Sequence, residues 1–303
     1  MNDELLNTLA DILPKENILE NEDMDLHTTF RVGGPARFML LVDNTEQLSK
    51  IVRYLRATDH DFFLLGNGSN LLVSDKGYDG IIIKLSGEFA NLHTEGERIY
   101  CGAAAQLSSA AVQALNNDLT GMEFASGIPG SVGGAMVMNA GAFDGEVGNI
   151  TESVEVLSKD GEILTLDNET MEFGYRTSVI KGTDYIVTRA VFKLSYGKHE
   201  DIKATMDEIN AKRREKQPLE YPSAGSTFKR PEGYYAGKLI MDAGLRGFSI
   251  GGARVSDKHC GFVINQGHAS AADIYDVICQ VQERVKDRFG VELEREVILL
   301  GDF

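Results

Sequence analysis

Two glycine-rich tracts carry residue types suited to holding an extended anionic ligand. Gly66-Asn67-Gly68-Ser69-Asn70 stands between the apolar runs Phe62 to Leu65 and Leu71 to Val73. Its glycines let successive backbone amides turn inward as an anion-binding nest that suits a pyrophosphate, although a plain tight turn has the same composition. The pentapeptide is not a dinucleotide fingerprint of the Gly-x-Gly-x-x-Gly type, because the third glycine is missing and an apolar run follows where a helix should begin. It also lacks the Gly-Lys-Ser/Thr of a P-loop. The second tract reads Gly127-Ile128-Pro129-Gly130-Ser131-Val132-Gly133-Gly134-Ala135 and continues through Met138-Asn139-Ala140-Gly141-Ala142. Its small residues let backbone approach a flat ring or a phosphate, while Ser131 and Asn139 can donate hydrogen bonds. Tight packing against a sheet is the structural alternative. Two such tracts in one chain favour a shared extended nucleotide over either tract acting alone.

Charge narrows the ligand class. The chain has 303 residues with 30 basic and 46 acidic side chains, a formal charge of -16 that repels nucleic acid phosphates and anionic lipid surfaces. Between Lys212 and Lys258 the balance inverts, with ten Lys or Arg against five Asp or Glu. That stretch is either an ordinary charged surface or a local site for an anionic ligand. Three widely spaced cysteines, Cys101, Cys260 and Cys279, form no Cys-x-x-Cys pair and read as reduced core residues of a cytoplasmic protein. The six histidines show no metal-ligand spacing, so no metal is expected, and His259 beside Cys260 reads as structural. No apolar run approaches the roughly 20 residues needed to span a bilayer, and Met1-Asn2-Asp3-Glu4 lacks the basic flank of a signal peptide. The expectation is a cytoplasmic protein with small-molecule substrates and neither membrane nor nucleic acid partners. Oligomeric state is not legible, and a monomer is the default.

The elements that must position these residues follow from periodicity. Leu5, Leu6, Leu9, Ile12 and Leu13 predict an N-terminal helix ending near Pro14, and Leu48, Ile51, Val52 and Leu55 predict a second over Thr45 to Ala57. Phe62 to Leu65, Leu71 to Val73 and Ile81 to Leu85 read as strands. A small-residue helix is expected from Leu107 to Leu119. Strands at Val154 to Leu157 and Ile163 to Leu166 flank the hairpin signal Asp160-Gly161, and another runs from Tyr185 to Leu194. Beyond Tyr196-Gly197-Lys198 the expectations are a basic helix near Ile202 to Lys216, a short helix at Ala236 to Ala243 and a strand at Gly261 to Asn265. A long helix, Ala271 to Phe289, follows with Ser270 as N-cap, and then a strand over Val291 to Leu300. The mixture is α+β, without the regular alternation of a doubly wound sheet. A hydrophobic content of 43% is enough for two or three packed units.

Thr29-Phe30-Arg31-Val32-Gly33-Gly34-Pro35-Ala36, Gly66 to Val73 and Gly127 to Gly141 resemble the FAD-binding motifs of the UDP-N-acetylenolpyruvoylglucosamine reductases. The resemblance covers almost the whole chain. It implies a two-lobed FAD-binding domain of the vanillyl-alcohol oxidase/p-cresol methylhydroxylase type, followed by a C-terminal α+β substrate domain. The corresponding division is an N-terminal helical segment at 1–29, an FAD-binding domain at 30–196 with lobes of about 30–92 and 93–196, and a substrate domain at 197–303. The implied cofactor contacts are Gly66, Asn67, Gly68, Ser69, Asn70, Gly127, Ile128, Gly130, Ser131, Val132, Gly133, Asn139 and Gly141. Neither tract holds a histidine, so non-covalent FAD is expected. The lack of an inserted loop after Leu194 fits the compact second structural type of the family.

Three further segments resemble the family's active-site signatures: Tyr175-Arg176-Thr177-Ser178, Ala224-Gly225-Ser226-Thr227-Phe228-Lys229 and Leu293-Glu294-Arg295-Glu296-Val297. They imply Arg176, Ser226 and Glu296 as the catalytic trio. In the implied reaction FAD takes hydride from NADPH and then reduces an enolpyruvyl double bond, giving UDP-N-acetylmuramate for peptidoglycan synthesis. Arg176 would meet the negative charge that develops, Glu296 would orient substrate or donate a proton, and Ser226 would protonate carbon as the general acid. Lys229 and Lys216 are candidates for stabilising the serine after proton loss. A UDP-sugar carries a diphosphate, so Arg213, Lys216, Lys229, Arg230, Tyr234, Tyr235 and Lys238 are candidate substrate contacts. The chain departs from the family where Arg295 replaces the frequent proline, Ile298 the frequent arginine and Phe143 the common tyrosine.

Overall fold

Apolar periodicity and capping place the helices. In the computed structural model, which describes residues 2–303, the helices are α1 (Asn2–Ala10), α2 (Thr45–Ala57), α3 (Leu107–Asn116), α4 (Val132–Met138), α5 (His199–Lys216), α6 (Ala236–Asp242) and α7 (Ala271–Phe289). The Asn44 side chain caps α2 by accepting the Gln47 N–H, and Leu48, Ile51, Val52 and Leu55 bury its apolar face. α7 opens with a full capping box, Ser270 accepting from Asp273 N while the Asp273 carboxylate accepts from Ser270 N. Gly290 closes it in a left-handed conformation. The fold is α+β.

The chain packs as two units that are discontinuous in sequence, so they do not coincide with the continuous segments 1–29, 30–196 and 197–303. The first comprises residues up to Leu19, Phe38–Gly66 and Gly80–Lys212. Glu20–Arg37, Asn67–Asp79 and Arg213–Phe303 form the second.

In the first unit, the hairpin expected at Asp160-Gly161 joins Thr151–Leu157 to Ile163–Asp167, with Gly161 at φ +77°. These strands enter an antiparallel sheet of five, in the order Ile163–Asp167, Thr151–Leu157, Ile186–Lys193, Arg98–Gly102 and Leu92–Glu95. The buried Ala110, Ala111 and Ala114 of α3 and Val132, Ala135 and Met136 of α4 share one core with Ile99, Val154, Val156 and Phe192 of the sheet. Small side chains let both helices approach closely. α3 stops short of the predicted Leu119, because Asp118 adopts φ +55° and Leu119–Thr120 pairs with Ser195–Tyr196 instead. A separate core gathers Leu5 and Leu9 of α1, the apolar face of α2, and Ile81 and Ile83. There Phe62–Leu65 pairs in parallel with the chain at Ile81 to Lys84.

In the second unit, α6 and α7 pack on the antiparallel strands Ser249–Ile250, Ala253–Val255 and Val263–Asn265. The stripe Ile274, Val277, Ile278, Val281 and Val285 is fully buried. Leu71–Val73 pairs in parallel with Ile298–Leu300. That pairing corrects the strand expected over Val291 to Leu300, since only its last three residues are in strand conformation. Asp75 joins the same segment to α7, its carboxylate accepting Ala271 N–H at 2.7 Å and Ala272 N–H at 2.9 Å. Among the described residues no helix is long and apolar enough to cross a membrane.

Gly68 lies at φ +60°, and a Cβ there would stand 2.0 Å from the His27 carbonyl oxygen. Gly68→Ala should therefore destabilise the protein by about 2 kcal/mol or more, from backbone strain and overlap together. Ser270→Ala removes one half of the α7 capping box and should cost about 1 kcal/mol. Urea unfolding of both variants checks the order, and a Gly68→Ala protein as stable as the parent would contradict this account of the loop.

Candidate active site

In the second unit, Ser226 is exposed while its neighbour Thr227 is fully buried. Thr227 is the fixed point of the loop. Its N–H donates to Gly261 O at 2.8 Å, its hydroxyl accepts Val263 N–H at 3.0 Å, and its carbonyl accepts Glu296 N–H at 2.9 Å. Phe228 bridges to Arg295, and Lys229 N–H donates to Glu294 O at 2.9 Å. The backbone carrying Ser226 is thereby laid alongside the backbone carrying Glu296. Gly225, just before the serine, has φ +73° and nothing within 4 Å of a would-be Cβ, so the space on that side of the loop is open. Thr227 had no signal in sequence, because its partners Gly261, Val263 and Glu296 lie on segments remote in the chain.

The glycine loop belongs to the same framework. Thr29 N–H donates to Gly68 O at 3.1 Å, and Gly34 N–H to Ser74 O at 2.8 Å, so the Thr29 to Ala36 motif lies along the loop. Phe30 is fully buried, and its carbonyl accepts the Asn265 amide at 3.1 Å. Asn67, Ser69 and Asn70 are half-buried.

In the first unit the second tract is stitched to the segment before α3. Leu107 N–H donates to Gly130 O, Val132 N–H to Ala105 O, and Gly133 N–H to Ala103 O. Ser131 is buried and caps α4 by accepting Gly134 N–H. A Cβ on exposed Gly66 would stand 2.5 Å from Ser131 Oγ, so the start of the first tract meets the second. Gly127 and Ile128 are half-buried ahead of this turn. Neither tract contains a charged side chain that would repel a diphosphate, and the bare main chain of Gly66 is open to solvent. The donor chemistry therefore fits a dinucleotide.

Arg176 sits in a tight turn of the first unit at φ +56°, with Gly174 and Thr177 exchanging backbone hydrogen bonds around it. Its guanidinium reaches the Gly141 carbonyl at 3.5 Å and lies over the Tyr175 ring. Buried Asn139 secures this turn to the second tract by donating to Gly174 O at 3.1 Å and accepting Gly148 N–H at 2.9 Å. Gly141 pairs with Glu146 in a short hairpin whose tip holds Phe143 at φ +50°.

The basic stretch is less positive in space than in sequence. Lys229 pairs with Glu294, Lys238 with Asp242, Arg254 with Asp257 and Lys258 with Glu220. Arg213 is only 8% exposed, and burial pushes its guanidinium below the ordinary range. Arg230 stacks on Tyr235 at 4.1 Å, and Tyr234, Tyr235 and Lys216 are exposed. Burial also lowers His259, whose Nδ1 accepts the Gly261 N–H; its ring packs edge-on to Phe262. Cys101, Cys260 and Cys279 are free thiols, and burial pushes Cys101 up to about 12. Among the described residues no group of three or more His, Cys, Asp or Glu is placed to hold a metal ion.

Residues 36–167 match the model of an FAD binding domain, and residues 217–300 match the C-terminal domain of UDP-N-acetylenolpyruvoylglucosamine reductase. A UDP-N-acetylenolpyruvoylglucosamine reductase of Caldanaerobacter subterraneus subsp. tengcongensis is 50% identical over 98% of this chain and 98% of its own. The reductase of Lachnoclostridium phytofermentans is 47% identical over 100% of this chain and 99% of its own. A crystal structure of the reductase from Thermus caldophilus superposes with a TM-score of 0.81 at 37% identity, covering 94% of this chain and 98% of that one. With two relatives near half identity aligned end to end, the chain belongs to the UDP-N-acetylenolpyruvoylglucosamine reductase family, flavin-dependent oxidoreductases with an FAD-binding domain.

Proposed function

We propose that this protein takes hydride from NADPH and reduces UDP-N-acetylenolpyruvoylglucosamine to UDP-N-acetylmuramate in peptidoglycan precursor synthesis, acting in the cytoplasm. The observation that carries the reading is the exposed Ser226 hydroxyl on a loop whose next residue, Thr227, accepts the Glu296 N–H. A nucleophilic serine of the hydrolase type would need a histidine base and a Gly-x-Ser-x-Gly turn, and Ala224-Gly225-Ser226-Thr227-Phe228 supplies no such turn.

FAD, when bound, supplies the hydride that reaches the enolpyruvyl double bond. The loop Gly66, Asn67, Gly68, Ser69 and Asn70 and the tract residues Gly127, Ile128, Gly130, Ser131, Val132, Gly133, Asn139 and Gly141 would line the dinucleotide, Val132 and Gly133 by close approach, since their N–H groups are already engaged within the protein. Arg176 would provide a permanent cation for the substrate carboxylate, into which negative charge spreads from the α-carbon as hydride adds to the β-carbon. Ser226 donates the proton that completes addition across the double bond and regains one from solvent. Glu296 orients the substrate. Arg213, Lys216, Lys229, Arg230, Tyr234, Tyr235 and Lys238 are the proposed contacts for the diphosphate and the rings of the UDP-sugar.

Anaerobic stopped-flow tests the assignment. Ser226→Ala should bleach the flavin with NADPH at close to the normal rate, while recovery of absorbance on adding the enolpyruvyl substrate slows by on the order of 10² or more. Equal slowing of both steps would sink the role given to Ser226. Because neither tract contains histidine, FAD should stay in the supernatant when the protein is precipitated with acid; yellow precipitated protein would refute non-covalent binding.

A further inference from the structure

Asn70 closes the glycine loop, yet its side chain serves the segment that bears Glu296. The Asn70 Nδ2 donates to the Glu296 carbonyl oxygen at 3.1 Å, and the Asn70 carbonyl accepts the Ile298 N–H at 3.0 Å. The parallel ladder proper runs from Leu71 opposite Ile298 to Val73 opposite Leu300. Glu296 lies two residues before it, beside the antiparallel bridge of Arg295 to Phe228. There both of its peptide groups are engaged from different segments: its N–H by Thr227 O and its C=O by the Asn70 amide. A half-buried carbonyl that loses its donor is destabilised, and the backbone adjusts to find another.

We infer that Asn70 is a positioning residue for Glu296, fixing the carboxylate-bearing backbone to the loop proposed for FAD. The inference rests on the proposed function for the importance of Glu296 and goes beyond it, because it gives a loop residue a second task in the substrate step. The far end of the same strand pair provides an internal comparison. There Ser74 Oγ donates to Asp302 O at 2.6 Å, again a side chain from the loop segment closing the ladder, but near no residue proposed for chemistry. If Asn70 merely lengthened the ladder, removing either side chain would have the same consequence.

The test compares Asn70→Ala, the isosteric Asn70→Asp, which cannot donate, and Ser74→Ala. Three quantities are measured: FAD affinity by flavin fluorescence, flavin reduction by NADPH, and reoxidation by the enolpyruvyl substrate at saturating FAD. For both Asn70 variants, reoxidation should slow by on the order of 10-fold or more beyond any slowing of reduction, since small displacements of a positioned group cost this much. Ser74→Ala should keep both rates. The inference is overturned if the two steps slow together, if the defect disappears once FAD is saturating, or if Ser74→Ala reproduces the split. A parent protein that NADPH bleaches but the enolpyruvyl substrate does not reoxidise overturns the proposed function, and this inference with it.

Discussion

The pairing of Leu71–Val73 with Ile298–Leu300 is the constraint on which the second unit depends. It joins segments that lie more than 220 residues apart in the chain, as the 226-residue separation of Asn70 and Glu296 shows. Closing a loop of that length costs about 5 kcal/mol in chain entropy by the logarithmic rule. The flanking hydrogen bonds from Asn70, Ile298 and Ser74 contribute about 1 kcal/mol each and offset only part of it. Burial decides the outcome: Leu71, Leu72, Val73 and Leu300 are all buried, and each apolar side chain removed from water contributes about 1.5–3 kcal/mol. The glycine loop is therefore held by hydrophobic burial just beyond it and by the close packing of Gly68 against His27 and Thr28.

The same arrangement explains why a strongly acidic chain can bind anionic ligands. Net charge describes the long-range field, whereas binding depends on local donors. Five of the ten basic residues from Lys212 to Lys258 are paired with nearby carboxylates. The uncharged glycine tracts present main-chain groups, whose dipoles do not depend on pH. The proposed recognition rests more on oriented backbone and a few guanidinium groups than on a broad positive surface.

Much of the local structure was legible in the sequence. α2 and α7 have the bounds their apolar stripes and caps imply, and Asp160-Gly161 turns the hairpin it signals. Local signals failed where a distant partner decides the conformation. Val291 to Val297 has strand-like composition, but only Ile298–Leu300 finds a strand to pair with, and Asp118 ends α3 early by taking a left-handed turn into a two-residue strand. The discontinuous packing units were hidden for the same reason, since Asn67–Asp79 follows its ladder partner and Asp75 follows the α7 N-terminus. Within the candidate site, the segments bearing Ser226 and Glu296 were legible only through resemblance. The bonds of Thr227 and of the Asn70 side chain were not legible, because each engages backbone groups on remote segments.

The central claim is that the loop proposed for FAD and the backbone of Glu296 behave as one mechanical piece. Hydrogen–deuterium exchange of the apoprotein, with and without added FAD, addresses it directly. Binding should slow exchange at the Glu296 and Ile298 amides, which donate to Thr227 O and Asn70 O, together with the loop itself. Protection confined to residues 66–73 and 127–141, with the amides of 294–300 unchanged, would contradict the account.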